Sequence, residues 1–255
     1  MIRVKAGVFS LTPPAPADDD GSYLRWHLLD HMPEQFQLPG IQQALRYLVD
    51  DDLRALRIAG DGPLAELGNA VNYLVGDPVE QTLEDFMALG PRLAEMGRFP
   101  QSRPSLGVSA LALVRWCAAA RVQVSAEVLP WRPHRGVLLI VEERAGAGVS
   151  DWLRWLHTEH HPSLLAVPGV AGVWQYGSTR TWELGPGYST DPQHITVVYL
   201  DDDPRTVAPL LRPVVEQRWS SGAVRPLFAG PLRTMVHWEA WPAQEDPPNP
   251  SFPGL

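Results

Sequence analysis

Apolar runs of strand length alternate along this chain with longer stretches of helical period, and the same order occurs twice. In the C-terminal half, residues 136–143 (GVLLIVEE) form an apolar run suited to a buried strand. Ser150 or Asp151 is in position to cap a helix, which VPGV (167–170) then breaks. GVWQYGS (172–178) and the β-branched HITVVYL (194–200) read as strands. Asp203-Pro204 opens a second helix, with Asp as N-cap and Pro at the first helical position. RTMVHWEAW (233–241) alternates and is expected to close the unit as a strand.

The N-terminal half repeats this order. Shifted onto the second half, Lys5–Tyr47 falls on His134–Tyr176 without a gap, and ten of the 43 positions are identical. YLRWHLLDHMPEQFQLPGI lies over WLRWLHTEHHPSLLAVPGV, which marks an internal repeat of domain size. First-half strands are expected near 3–11, 41–48, 68–75 and 120–129, and helices near 22–38 and 78–97. Tyr73-Leu74 is aligned with Tyr199-Leu200, and the stretch near 100–120 is read as an insertion suited to an extra helix. Each unit is then β-α-β-β-α-β, the ferredoxin-like order. The expected division is 1–130 for the first unit, 131–242 for the second and 243–255 for a proline-rich tail. A sheet with helices on one face must bury the other. Two such sheets in one chain do so by packing on each other, an α+β barrel-like arrangement within a single polypeptide.

Composition narrows the function classes. Net charge is −8 with no basic run, so neither nucleic acid nor an anionic membrane is an expected partner. Lys5 is the only lysine, which disfavours Schiff-base chemistry, and the lone Cys117 permits no disulfide or thiolate cluster. No apolar stretch has the length of a bilayer span, and a cytoplasmic location is the default expectation. GxGxxG, GxSxG and EF-hand spacings are absent, so nucleotide, serine-hydrolase and calcium chemistry have no support.

Trp152, Trp155, Glu159-His160-His161-Pro162 and Pro168-Gly169, with their first-half counterparts Tyr23, Trp26, Asp30-His31-Met32-Pro33 and Pro39-Gly40, carry a resemblance. The pattern resembles the EthD-like branch of the dimeric α+β barrels, here as a dimer fused end to end. The resemblance implies a hydrophobic cavity for small aromatic or polyketide-like molecules and a range of cofactor-free reactions, with haem chemistry in distant branches; no cofactor is the expectation here. It leaves room for a homodimer of the fused chain, which sheet burial no longer requires.

His31 and His160 are the candidate catalytic residues, because the repeat retains both while most neighbours change. An imidazole titrates near neutrality and suits general acid or base catalysis. A buried histidine bonded to a backbone carbonyl is the competing structural role. Trp174, Tyr176, Tyr199, Trp238 and Glu239 are the candidate substrate-binding residues, and Glu127 is a second strand carboxylate. His157, His160 and His161 resemble a metal cluster, but His161 is expected to point away on an ideal helix, so no metal is assigned. The expected function is cofactor-free cyclisation, elimination or decarboxylation of a hydrophobic small molecule. A non-catalytic carrier and a cofactor-free monooxygenase are the alternatives.

Overall fold

The computed structural model describes residues 3–14, 21–60, 62–99, 105–182 and 193–235. The first half runs β1 (Val4–Thr12), α1 (22–35), β2 (Ile41–Leu48), α2 (Asp51–Ala55), β3 (Ala59–Gly60), β4 (Asn69–Gly76), α3 (Val79–Glu95) and β5 (Gly107–Ala118). The second runs β6 (Gly136–Arg144), α4 (149–166), β7 (Val170–Trp182), β8 (Gln193–Leu200), α5 (Pro204–Glu216) and β9 (Val224–Thr234). Apart from the short α2 and β3, both halves follow the order β-α-β-β-α-β.

The strands form one antiparallel sheet in the order β2-β4-β1-β5-β7-β8-β6-β9, and β9 returns to β2. The two four-stranded sheets therefore face each other and also join at their edges. One seam is long, with β5 on β7 from Ala110–Trp182 to Ala118–Gly172. At the other, among the described residues, β9 meets β2 at Tyr47–Thr234 and Leu48–Arg233, and β3 pairs with β9 at Ala59–Ala229 and Gly60–Phe228. Closure leaves little unpaired edge in either sheet.

Alternation along each strand sorts side chains between the barrel lumen and the helix-covered face. Phe9, Leu139, Trp174, Tyr176, Tyr199 and Phe228 pack into one lumen core. Burying an aromatic or large aliphatic side chain in this way stabilises by roughly 1.5–3 kcal/mol. The intervening residues meet helices: Val8, Val71 and Tyr73 lie under α1 and α3, and Leu138, Val173 and Val198 under α4 and α5.

Three expectations require correction. The segment read as an inserted helix is β5 itself; its Ala- and Leu-rich sequence favours helix, and pairing with β1 and β7 overrides that preference. Residues 120–129 form no strand, and Glu127 sits in a 3-10 turn (Ala126–Trp131). The closing strand begins at Val224, before the expected 233, and is described to Thr234, while 236–241 lie outside the described residues; Pro226 and Pro231 disguise its start, since proline cannot donate to a ladder. Trp238 and Glu239 lie outside the described residues. The cap of α4 also differs: Gly148 precedes it in a left-handed conformation, with no side-chain cap from Ser150 or Asp151.

Register supplies a subtler correction. Ile41 pairs with Val75, and its counterpart Val170 pairs with Leu200. Leu74, rather than Tyr73, therefore corresponds to Tyr199. A one-residue slip in the alignment exchanges faces. Tyr73 packs under the helices, where its hydroxyl lies 3.3 Å from His27 Nε2, while Tyr199 is in the lumen.

Candidate functional site: the helix-covered face of the second half

Helix α4 is α-helical over Val149–Trp155, π-helical over Leu156–His160 and α-helical again over His161–Ala166. Helix α1 has the same defect at His27–His31. Pro162 and Pro33 lack the N–H that would bond the carbonyl one turn back, so each helix widens just before its proline. The widening turns His161 inward, against the ideal-helix expectation. His160 and His161 are both buried, with ring centres 6.4 Å apart, and His157 lies 5.5 Å from His161.

Beneath them lies a buried ion pair that sequence reasoning missed. Arg218, in the turn after α5, and Glu142, on β6, are both fully buried. Arg218 Nε donates to Glu142 Oε1 at 2.9 Å and Nη2 to Oε2 at 2.5 Å, with Thr196 Oγ1 3.0 Å from Nη2. Trp219 Nε1 donates to Glu142 Oε1 at 2.8 Å. The carboxylate is thus held bidentately and supported by a third donor, the arrangement a buried pair needs. The only sequence hint was a glutamate interrupting the face pattern of an apolar strand.

His160 joins this network. Its Nε2 lies 3.0 Å from the Val214 carbonyl, in the last turn of α5, where carbonyls lack helical partners. Its Nδ1 lies 3.4 Å from Arg218 Nη1. Burial, then the Arg218 charge, lowers its pKa to about 3, against a smaller opposing effect of the carbonyl. A neutral ring that donates from Nε2 and accepts at Nδ1 satisfies both contacts. His194 on β8 differs: it is buried 5.3 Å from the Trp152 ring, and neither ring nitrogen has a hydrogen-bond partner among the described residues. Burial lowers its pKa to about 4, against the partly compensating charge of Glu142, its cross-strand neighbour. His161 is likewise unpartnered at both nitrogens, and burial takes its pKa to about 2. His157 Nε2 lies 2.6 Å from Gln175 Oε1.

A cavity of about 430 Å³ opens beside this layer, between the start of α4 and the 217–223 turn. Trp152 and Trp155 line it. Behind those rings stand His194 and His160, the latter 5.0 Å from Trp155. The arrangement therefore consists of an aromatic wall with neutral imidazoles directly behind it. Among the described residues no group of three or more His, Cys, Asp or Glu side chains is gathered as a metal site.

The predicted residues separate into three places. His160 lies in this layer, and His31 lies in the corresponding layer of the first half, stacked on Trp26 at 5.0 Å with Gln35 Nε2 3.1 Å from its Nε2. Burial lowers the His31 pKa to about 4. Trp174, Tyr176 and Tyr199 lie across the sheet in the lumen, fully buried. Trp174 Nε1 donates to the Ala126 carbonyl at 2.8 Å, whereas the Tyr176 and Tyr199 hydroxyls have no hydrogen-bond partner among the described residues. The expected combination of His160 with these three aromatics is not assembled. Trp155, His161, Arg218 and the Val214 carbonyl stand around His160 instead, and Arg218 links it to Glu142 and Trp152.

No family model and no curated protein matches the chain. Solved structures do. An anthrone oxidase-like protein matches at TM-score 0.54 and 13% identity, over 91% of this chain and 92% of its own. A Fusobacterium nucleatum protein named as a monooxygenase matches at TM-score 0.54 and 8% identity, over 92% and 94%. A mutant chlorite dismutase from Candidatus Nitrospira defluvii matches at TM-score 0.52 and 14% identity, over 92% and 93%. At such identities the likeness concerns fold. No described helix is long and apolar enough to cross a membrane. The chain has the dimeric α+β barrel fold, with both halves of the barrel drawn from one polypeptide.

Proposed function

We propose that the protein binds a hydrophobic, planar small molecule in the second-half cavity and converts it without a cofactor, by proton transfer to and from histidine. The observation that carries this reading is the Trp152–Trp155 wall with His194 behind it, both of whose ring nitrogens lack partners among the described residues. A displacement of Trp152 would bring a ligand against His194, a neutral base at physiological pH. His160 takes a positioning role, because its two nitrogens already engage Val214 and Arg218. The resemblance to the EthD-like branch and the substrate class it implies, aromatic or polyketide-like, belong to this proposal, as do cyclisation, elimination and decarboxylation as its reactions.

A second reading is cofactor-free oxygenation. The names of two structural neighbours, an anthrone oxidase-like protein and a monooxygenase, favour it. The substrate carbanion left by proton removal would then supply the electrons and dioxygen would accept them. The carrier reading is favoured by the full engagement of His160.

Native mass spectrometry of protein purified without added ligand tests the shared claim. A bound organic mass is expected, and the Ala147→Trp variant, which plugs the cavity rim, should lose it. An organic mass that Ala147→Trp retains would move the site elsewhere. With that compound as substrate, His194→Gln should lower turnover at least about a hundredfold, and oxygen consumption separates oxygenation from the other reactions. Binding without turnover in the wild type would leave a carrier.

A further inference from the structure

The first half buries a guanidinium that has no counter-charge among the described residues. Arg46 on β2 is 4% exposed. Its Nη1 donates to Asn69 Oδ1 at 2.6 Å, and its Cζ lies 5.5 Å from the centre of the Tyr23 ring. Its Nε and Nη2 have no hydrogen-bond partner among the described residues. Neither an amide oxygen nor an aromatic face carries a full negative charge, and a buried cation without one is costly.

The second half shows how the same demand is met. Arg218 lies 5.6 Å over Trp152, the residue matching Tyr23, and grips the two oxygens of Glu142 with Nε and Nη2. Those two atoms form one edge of the planar guanidinium, whose parallel N–H bonds fit a carboxylate side-on. They are the same two atoms that Arg46 leaves unpartnered. Nearby, His27 Nδ1, His31 Nδ1 and Gln35 Oε1 also have no hydrogen-bond partner among the described residues, and Trp26 and Phe99 flank His31 at 5.0 and 5.1 Å.

We propose that Arg46 anchors a second binding site, which takes the carboxylate of a small organic acid side-on between α1 and the sheet. Trp26 and Phe99 favour an acid with an aromatic body. The site is on the other half of the molecule from the cavity and stands independently of the function proposed above.

Thermal unfolding and calorimetric titration with benzoate, acetate and benzamide test it on the full chain. Benzoate should raise the unfolding temperature of the wild type, and benzamide, the same ring without the charge, should not. A rise with acetate as well would assign recognition to the carboxylate alone; a rise with benzoate only would add the aromatic contacts. Arg46→Met should lose the response, with benzoate affinity reduced at least about tenfold. Without added acid that variant should unfold within a few degrees of the wild type, because relief of the buried charge offsets the lost Asn69 bond and Tyr23 contact. A wild type that gains nothing from either acid overturns the proposal, as does a benzoate response that Arg46→Met retains.

Discussion

The lumen and the helix-covered face of the second half are built from adjacent residues of the same strands, yet they differ in kind. Ile195, Val197 and Tyr199 point into the lumen; His194 and Thr196 point out beneath α4. Trp174 and Tyr176 fill the lumen, and Gln175 between them meets His157. The lumen joins the halves with an apolar core and a few hydroxyls. The outer layer gathers an ion pair, neutral histidines and a cavity. The comparison teaches that a strand of period two can divide structural and chemical roles between its faces without any change of position in the fold.

Breaking the ion pair should have the largest effect. Glu142→Ala leaves Arg218 buried and unpaired, and about 3–5 kcal/mol of stability should be lost, measured by urea unfolding. Adding Arg218→Met should recover most of it, whereas a double variant no better than the single would deny that the stranded charge is the cause. On the other face, Trp174→Ala should cost about 3–5 kcal/mol by leaving a cavity, with no compensating second substitution of this kind.

The pH dependence has two limbs, an acid one set by buried histidines, most of them under the helices, and an alkaline one set by lumen tyrosines. His31, His160, His161 and His194 are held, chiefly by burial, at about 4, 3, 2 and 4, below their ordinary 6.5. Unfolded, they take up protons near 6.5, so the unfolded state binds more protons below that pH. Their stabilisation is complete above 6.5 and falls as pH drops toward 4, by up to about 1.4 kcal/mol per pH unit for each histidine. Tyr47, Tyr176 and Tyr199 have pKa values raised above 10, again first by burial. Unfolded tyrosines ionise near 10, so the lumen contribution is complete below that pH and falls above it. Equilibrium unfolding from pH 4 to 11 should therefore show losses at both ends; a flat acid limb would refute the buried neutral histidines. The smallest effect is expected from Tyr176→Phe, which removes a hydroxyl without a hydrogen-bond partner among the described residues and should change stability by less than about 1 kcal/mol.

Much of the fold was legible because β1, β2, β4, β6 and β8 are apolar or β-branched runs bounded by clear breakers. The two strands misread, β5 and β9, carry helix-favouring alanines and leucines or internal prolines, and their identity comes from the partners they pair with. The choice of His31 and His160 followed from the repeat, which retains both. The inward turn of His161 did not, because it depends on the π-helical segment before Pro162. Arg218 was illegible for a related reason: its partner Glu142 lies 76 positions away, and only the fold brings them together.

The central claim is that a ligand is received on the helix-covered face of the second half and not in the lumen. Imidazole ¹⁵N resonances, assigned by single His→Gln variants, test it most directly on titration with 1-naphthol as a planar aromatic probe. His134, whose Nε2 lies 3.0 Å from the Tyr47 hydroxyl and whose ring lies 5.1 Å from Tyr199, reports on the lumen. The account predicts that His194 and His160 move with 1-naphthol while His134 stays fixed. Movement of His134 with His194 and His160 unchanged would contradict it.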